Sequence, residues 1–256
     1  MRRQLMTPAV MLAAIVMCTA GAAAQDGRGG GGAAARPPSP REIAPVNLAG
    51  YWVSVVSEDW RFRIATPRPG DIGGVPLNAE GRKVAQAWDP ATDAAGGNAC
   101  KWYGAAGLMR VPGRLRITWP DDETLKIEFD AGEQVRLLHF GRGHQPATEP
   151  SWQGESVAAW EGAGGRGATR PWGSLRVVTT RLRPGYLRQN GVPYSAGAVL
   201  TEYFDRHAAP DGSEWITVTS IVADPAYLTQ EFITSTDFKQ ERDGSKWMPT
   251  RCDTTR

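Results

Sequence analysis

Apolar and polar positions alternate with a period of two through much of this chain. Leu115, Ile117 and Trp119 alternate with polar neighbours, Leu125, Ile127 and Phe129 do so next, and Val135 and Leu137 continue the pattern. The alternation returns at Leu175, Val177 and Thr179, at Leu200, Glu202 and Phe204, and at Ile216, Val218, Ser220 and Val222. Residues two apart on a strand share a face, so each run predicts a strand with one buried side. Turn-forming residues punctuate the runs at hairpin spacing: Pro120-Asp-Asp-Glu123, Asp130-Ala-Gly132 and Asp211-Gly212. One short helix is predicted near the start, with Asn78 as its cap and Glu80 in its first turn. Val84, Ala85 and Trp88 share its face, and Pro90 lies beyond its end.

Consecutive antiparallel strands after a single helix favour an all-β fold closed into a barrel. About eight to ten strands would give an interior that side chains fill or that holds one small ligand. A two-sheet sandwich is the alternative architecture.

The N-terminus changes the picture by fixing a compartment. Two arginines follow Met1, Ala9–Ala22 is almost wholly apolar, and Ala22-Ala-Ala-Gln25 offers small residues for cleavage. The apolar run of about 14 residues is shorter than the roughly 20 that a membrane helix needs. Residues 1–24 therefore read as a secretory signal peptide, with no integral membrane span expected, and the mature protein is expected in the periplasm or medium. Met17 precedes Cys18 where a lipoprotein signal would place a small residue. The Gly-, Ala- and Pro-rich stretch 25–46 is expected to be a disordered tether, leaving 47–256 as a single barrel domain. Cys100 and Cys252 remain after processing, and an oxidising compartment favours their pairing. The net charge of +2 and the scattered arginines give no nucleic-acid footprint.

Familiar catalytic signatures are weak. Gly162-Ala-Gly-Gly-Arg-Gly167 satisfies a dinucleotide-binding spacing, yet it joins two predicted strands with no helix to receive a pyrophosphate. Gly154-Glu-Ser156 lacks the second glycine of a nucleophile elbow, and Asp121-Asp122-Glu123 reads as a solvated turn. His139, His144 and His207 show neither HxxxH nor HxH spacing, and CxxC is absent. No metal centre and no cofactor are expected on these grounds.

Two positions stand apart. Glu202 shares a face with Leu200 and Phe204, and His139 shares one with Val135 and Leu137. If those apolar neighbours point inward, a carboxylate and an imidazole enter the barrel. Arg136 occupies the opposite face of the His139 strand, so only one of the two can look inward. The ten tryptophans all lie after residue 50 and suit either a core or a ligand site.

The stretch Pro150-Ser-Trp-Gln-Gly-Glu-Ser-Val-Ala-Ala-Trp-Glu-Gly162 followed by Leu175-Arg-Val-Val-Thr-Thr180 resembles a group of uncharacterised exported bacterial proteins. Their shared text is P-S-W-x-G-x-S-x-x-W-E-G and L-x-V-x-T. Gly191-Val-Pro-Tyr-Ser195, Val199–Phe204 and Val222-Ala-Asp-Pro-Ala-Tyr227 extend the likeness, as do Cys100, Val111-Pro-Gly-Arg114 and Gly141-Arg-Gly-His144. Phe140 and Tyr194 stand where the group carries an aspartate and a histidine. The resemblance implies a secreted, lipocalin-like barrel and no particular reaction.

The expected function is binding of a small, largely apolar molecule in a barrel pocket. His139 or Arg136, with Trp152, Trp160 and Tyr203, are the candidate ligand-lining residues. The alternative is a secreted lyase, hydratase or isomerase that uses Glu202 or His144 as a general acid–base group. A cell-envelope protein-interaction domain is a third class.

Overall fold

In a computed structural model, residues 36–141, 144, 148–162 and 173–252 are described. The expected signal peptide, the tether as far as Ala35 and the loop 163–172 lie outside them. The element order is β1 (Gly50–Val55), α1 (Trp60–Arg63), α2 (Ala79–Gln86), α3 (Pro90–Ala95), a 3-10 turn (Lys101–Tyr103) and α4 (Ala105–Leu108). Then follow β2 (Arg114–Thr118), β3 (Thr124–Phe129), β4 (Val135–Phe140), β5 (Glu155–Glu161) and β6 (Ser174–Thr180). The last strands are β7 (Gly185–Arg188), β8 (Val192–Tyr194), β9 (Val199–Ala208), β10 (Glu214–Ala223) and β11 (Phe232–Glu241).

Nine strands close into a barrel in the order β1-β11-β10-β9-β6-β5-β4-β3-β2, while β7 and β8 form a separate hairpin. Each alternating run predicts a strand that is present. The barrel is mixed, however: β4 and β5 pair in parallel, and the other neighbours pair antiparallel. The single expected helix is α2, with the Asn78 side chain accepting from the Gly81 amide. Three further helices and the 3-10 turn accompany it, because the segment between β1 and β2 builds a cap in place of further strands.

The inward parity packs the barrel with its own side chains. Trp52, Leu115, Ile117, Leu125, Ile127, Phe129, Leu138, Leu175, Val177, Phe204, Ile216, Val218 and Phe238 form one buried cluster. A second cluster joins the cap to one end: Leu77 and Ala85 meet Leu187, Val192 and Tyr194 of the hairpin and Leu200, Val222 and Phe232 of the wall. Asp93 ties this cap together, accepting from Lys101 Nζ at 2.8 Å, Tyr186 Oη at 2.6 Å and Trp88 Nε1 at 3.2 Å. Asp224, in the Asp-Pro segment after β10, accepts from the Ser195 amide and hydroxyl and so ties that turn to the one after β8.

The packed chain begins earlier than composition suggests. Ser39 is buried, Pro40 O accepts from Trp160 Nε1 at 2.8 Å, and the Arg41 amide donates to Asp122 O. Proline-rich sequence resembles a linker, yet its carbonyls serve well as acceptors for a tryptophan at the barrel rim. Cys100 and Cys252 form the disulfide, with Cα atoms 5.1 Å apart, and it fastens the C-terminal tail beside the 3-10 turn. Among the described residues no helix is long and apolar enough to cross a membrane.

Candidate functional site

The carboxylate of Glu202 does enter the barrel, and its partner is Arg136. On β4 the inward face carries Arg136, Leu138 and Phe140, whereas Val135 and Leu137 are exposed and His139 is half-buried on the outer wall. The expected facing of His139 is therefore inverted. Each parity of the strand VRLLHF carries two apolar residues, so alternation alone does not fix its facing, and burying Leu138 and Phe140 admits the guanidinium that Glu202 requires. Nη1 and Nη2 of Arg136 meet the two Glu202 oxygens at 3.0 and 2.5 Å. Nη2 also reaches Thr179 Oγ1 at 3.2 Å, and Thr179 meets Ser156 Oγ at 2.8 Å. Both charged side chains are fully buried, and on β9 Glu202 stands between Leu200 of the cap cluster and Phe204 of the barrel core. A bidentate fork of this kind satisfies a buried carboxylate without a ligand.

The other expected pocket residues do not converge. Trp160 packs with Trp119 and Phe140 at the rim covered by Pro40. Trp152 carries the Arg183 guanidinium over its ring at 4.1 Å, and its carbonyl accepts from the Ala105 amide. Tyr203 alternates with the buried Glu202 and Phe204, so it lies on the outer face of β9.

His139 and His144 do come together, on the outer wall. Their rings stack with centroids 3.4 Å apart, and His144 Nε2 lies 2.7 Å from Glu155 Oε1. Desolvation, with help from the neighbouring His144, lowers the pKa of His139 below its ordinary value. Sequence reasoning expected no metal centre because it searched for spacing within one element. The third donor, Glu155, belongs to the neighbouring parallel strand, which sequence spacing does not expose.

A third constellation escaped the sequence entirely. Arg63 of α1, Arg110 before β2 and Arg188 at the end of β7 meet at the capped end, each with its side chain at most 4 % exposed. Their counter-charges are few and wetter. Arg63 Nη1 pairs with Glu58, Arg110 Nη2 donates to Asp59 Oδ2 at 2.8 Å, and Arg188 Nη2 lies 3.7 Å from that same oxygen. Two backbone carbonyls help: Arg110 O accepts from Arg63 Nε at 3.0 Å, and Gly73 O accepts from Arg188 Nη1 at 2.6 Å. Even so, Arg63 Nη2, Arg110 Nη1 and Arg188 Nε are buried with no hydrogen-bond partner in the structure. Desolvation first, and Arg110 as a nearby like charge, pull the pKa values of Arg63 and Arg188 below the ordinary guanidinium value.

The local chain geometry serves this cluster. Asp59 adopts the left-handed region, φ 49 and ψ 27, a conformation that aspartate tolerates better than most residues. From there its one carboxylate serves two guanidiniums. Phe62 lies under Arg188, 3.8 Å from Cζ to ring centroid, and Phe232 lies within 5.8 Å of Arg110 and 6.0 Å of Arg188. Beside it runs a cleft of about 430 Å³ lined by Gly74, Val75, Pro76, Gln230, Glu231, Phe232 and Ile233. Gly74 has φ +78, and a Cβ there would stand 3.6 Å from Arg188 Nη2, so cleft and arginines share Gly74 and Phe232 as a boundary. The sequence offered little warning, since neither Arg63 nor Arg110 lies on an alternating strand whose parity assigns a facing.

The chain matches no family model, no curated protein and no solved structure.

Proposed function

We propose that this chain is an exported, lipocalin-like binding protein for a small amphipathic anion, a carboxylate or phosphate with an apolar body. Its head would sit on Arg63, Arg110 and Arg188, and its body would follow the cleft along Val75, Pro76, Phe232 and Ile233. The observation that carries this reading is that three buried guanidiniums share two partly exposed carboxylates, Glu58 and Asp59, and each also keeps a buried N–H without a partner. Buried donors are normally satisfied, and buried cations gain most from a charge that removes both deficits at once. An anion does this with charge-assisted hydrogen bonds, and arginine forks suit planar carboxylates and phosphates. The apolar body would rest on Val75, Pro76, Phe232 and Ile233, the last 58 % exposed, in a lining that also carries Gln230 and Glu231.

The binding class agrees with the expectation from sequence, while the location moves from the barrel interior to its capped end. The described inward side chains form a buried cluster in the barrel, and the Arg136–Glu202 fork pairs its two buried charges. The signal-peptide pattern, the disulfide and the lack of a membrane-crossing helix among the described residues support a periplasmic or secreted protein.

Calorimetric titration of the mature protein with decanoate, decyl phosphate and decanol tests this. The two anions should bind and decanol should not. Arg110→Gln should weaken binding roughly 10–100-fold, since a hydrogen bond to a charged group is worth about 1.5–3 kcal/mol. Equal affinity for decanol, or unchanged affinity in the folded variant, would refute the proposal.

A further inference from the structure

The geometry points to a divalent-metal site of the zinc class on the outer wall of the barrel, with His139, His144 and Glu155 as its protein ligands. It is separate from the arginine cluster and independent of it. The parallel register of β4 on β5 aligns His139 with Val157 and Leu138 with Ser156. Outward parity then brings His139 and Glu155 onto neighbouring positions of one wall, and His144, five residues after His139, completes the set. One donor atom from each residue lies within 4.8 Å of the others.

The donor chemistry is that of a zinc-class ion: two imidazoles and one carboxylate, leaving a fourth position open. Tetrahedral bonds of about 2.0–2.1 Å place donors about 3.4 Å apart, so the cluster has to contract slightly at its widest. His144 Nε2 and Glu155 Oε1 are already closer than that, at 2.7 Å. The stacked imidazoles, 8° from parallel, must splay, because a nitrogen lone pair lies in its own ring plane. His144 is about a third exposed.

Surrounding residues fit the same role. Thr124 Oγ1 lies 3.4 Å from His139 Nδ1, a contact that orients the ring and leaves Nε2 to ligate. Val135, Leu137 and Val157 are exposed on the same two strands, so an apolar surround borders the donors and strengthens charge–ligand attraction.

The test uses the mature protein without an affinity tag, titrated with Co2+ and followed by visible absorption. One Co2+ per chain should produce the intense bands of a four-coordinate N/O site, and one equivalent of Zn2+ should remove them. His139→Ala and Glu155→Gln should each weaken binding by about 100-fold or more, exceeding the roughly 10–100-fold loss typical of an outer partner. His207→Ala serves as the control and should bind like the parent. Circular dichroism of each variant in chelator confirms that it is folded, and Zn2+ should raise the Tm of the parent but not of His144→Ala. Absence of stoichiometric Co2+ binding, or equal binding in folded His139→Ala and Glu155→Gln, would overturn the assignment.

Discussion

Two groups of buried arginine in this molecule, one inside the barrel wall and one at its capped end, solve the same physical problem differently. Arg136 has a carboxylate of its own, equally buried, bound through both terminal nitrogens, and only its Nε is left without a hydrogen-bond partner in the structure. Arg63, Arg110 and Arg188 share Glu58 and Asp59, both about one-third exposed, and keep three N–H-bearing nitrogens without partners. The first arrangement balances one buried charge with another, and the second carries surplus cationic charge in a place that water reaches poorly. Burial of an arginine alone therefore says little about function. What distinguishes a structural arginine from a receptor is whether its charge is matched by a carboxylate of its own that is equally buried.

The largest expected effect separates the two groups by the same substitution. Arg136→Met leaves Glu202 buried and uncompensated, which should cost about 3–5 kcal/mol by denaturant unfolding. Glu202→Leu should cost a similar amount by stranding Arg136, while the double variant Arg136→Met/Glu202→Leu should return most or all of that stability. Arg188→Met should behave otherwise in ligand-free protein. It removes one of three mutually repelling cations, so stability should change by less than about 1 kcal/mol or increase. A loss as large as that of Arg136→Met would mean that Arg188 is structural glue and the contrast fails.

A fork on the outer wall gives a smaller effect and a pH signature. Arg116 holds Glu128 with Nε–Oε2 at 2.7 Å and Nη2–Oε1 at 2.6 Å, a bidentate pair like the interior one but made through Nε and Nη2 and in contact with solvent. Its hydrogen bonds, chiefly that fork, lower the Glu128 pKa below the ordinary 4.5. A carboxyl whose folded pKa is depressed contributes stability that is complete above its unfolded pKa. That contribution disappears as pH falls through the folded value. Glu128→Gln should cost no more than about 1 kcal/mol at pH 7. The variant and parent should converge in stability as pH drops below about 4. A difference that persists into strong acid would assign the effect to packing.

These contrasts also explain what the sequence could and could not reveal. Strand parity located Glu202 inside because Leu200 and Phe204 flank it on one face without ambiguity. The same logic failed at β4, where Val135 and Leu137 compete with Leu138 and Phe140 for the interior. The winner is set by a partner on β9, remote in sequence. The α2 cap at Asn78 and the Cys100–Cys252 pair were legible, being a local side-chain pattern and a matter of cysteine count. The helical cap, the parallel β4–β5 contact and the arginine cluster were not, since each depends on segments brought together only by barrel closure. Composition also misled at residues 39–46, where a linker-like stretch supplies backbone acceptors to the rim.

The central claim is that the three guanidiniums at the capped end are an anion receptor. A crystal structure of the mature protein grown with saturating 10-bromodecanoate, with anomalous data collected for bromine, tests it directly. The carboxylate should lie about 2.8 Å from the unpartnered nitrogens of at least two of Arg63, Arg110 and Arg188. The bromine peak should fall in the cleft beside Phe232 and Ile233. Ordered water alone on those nitrogens, with the bromine elsewhere or absent, would contradict the account.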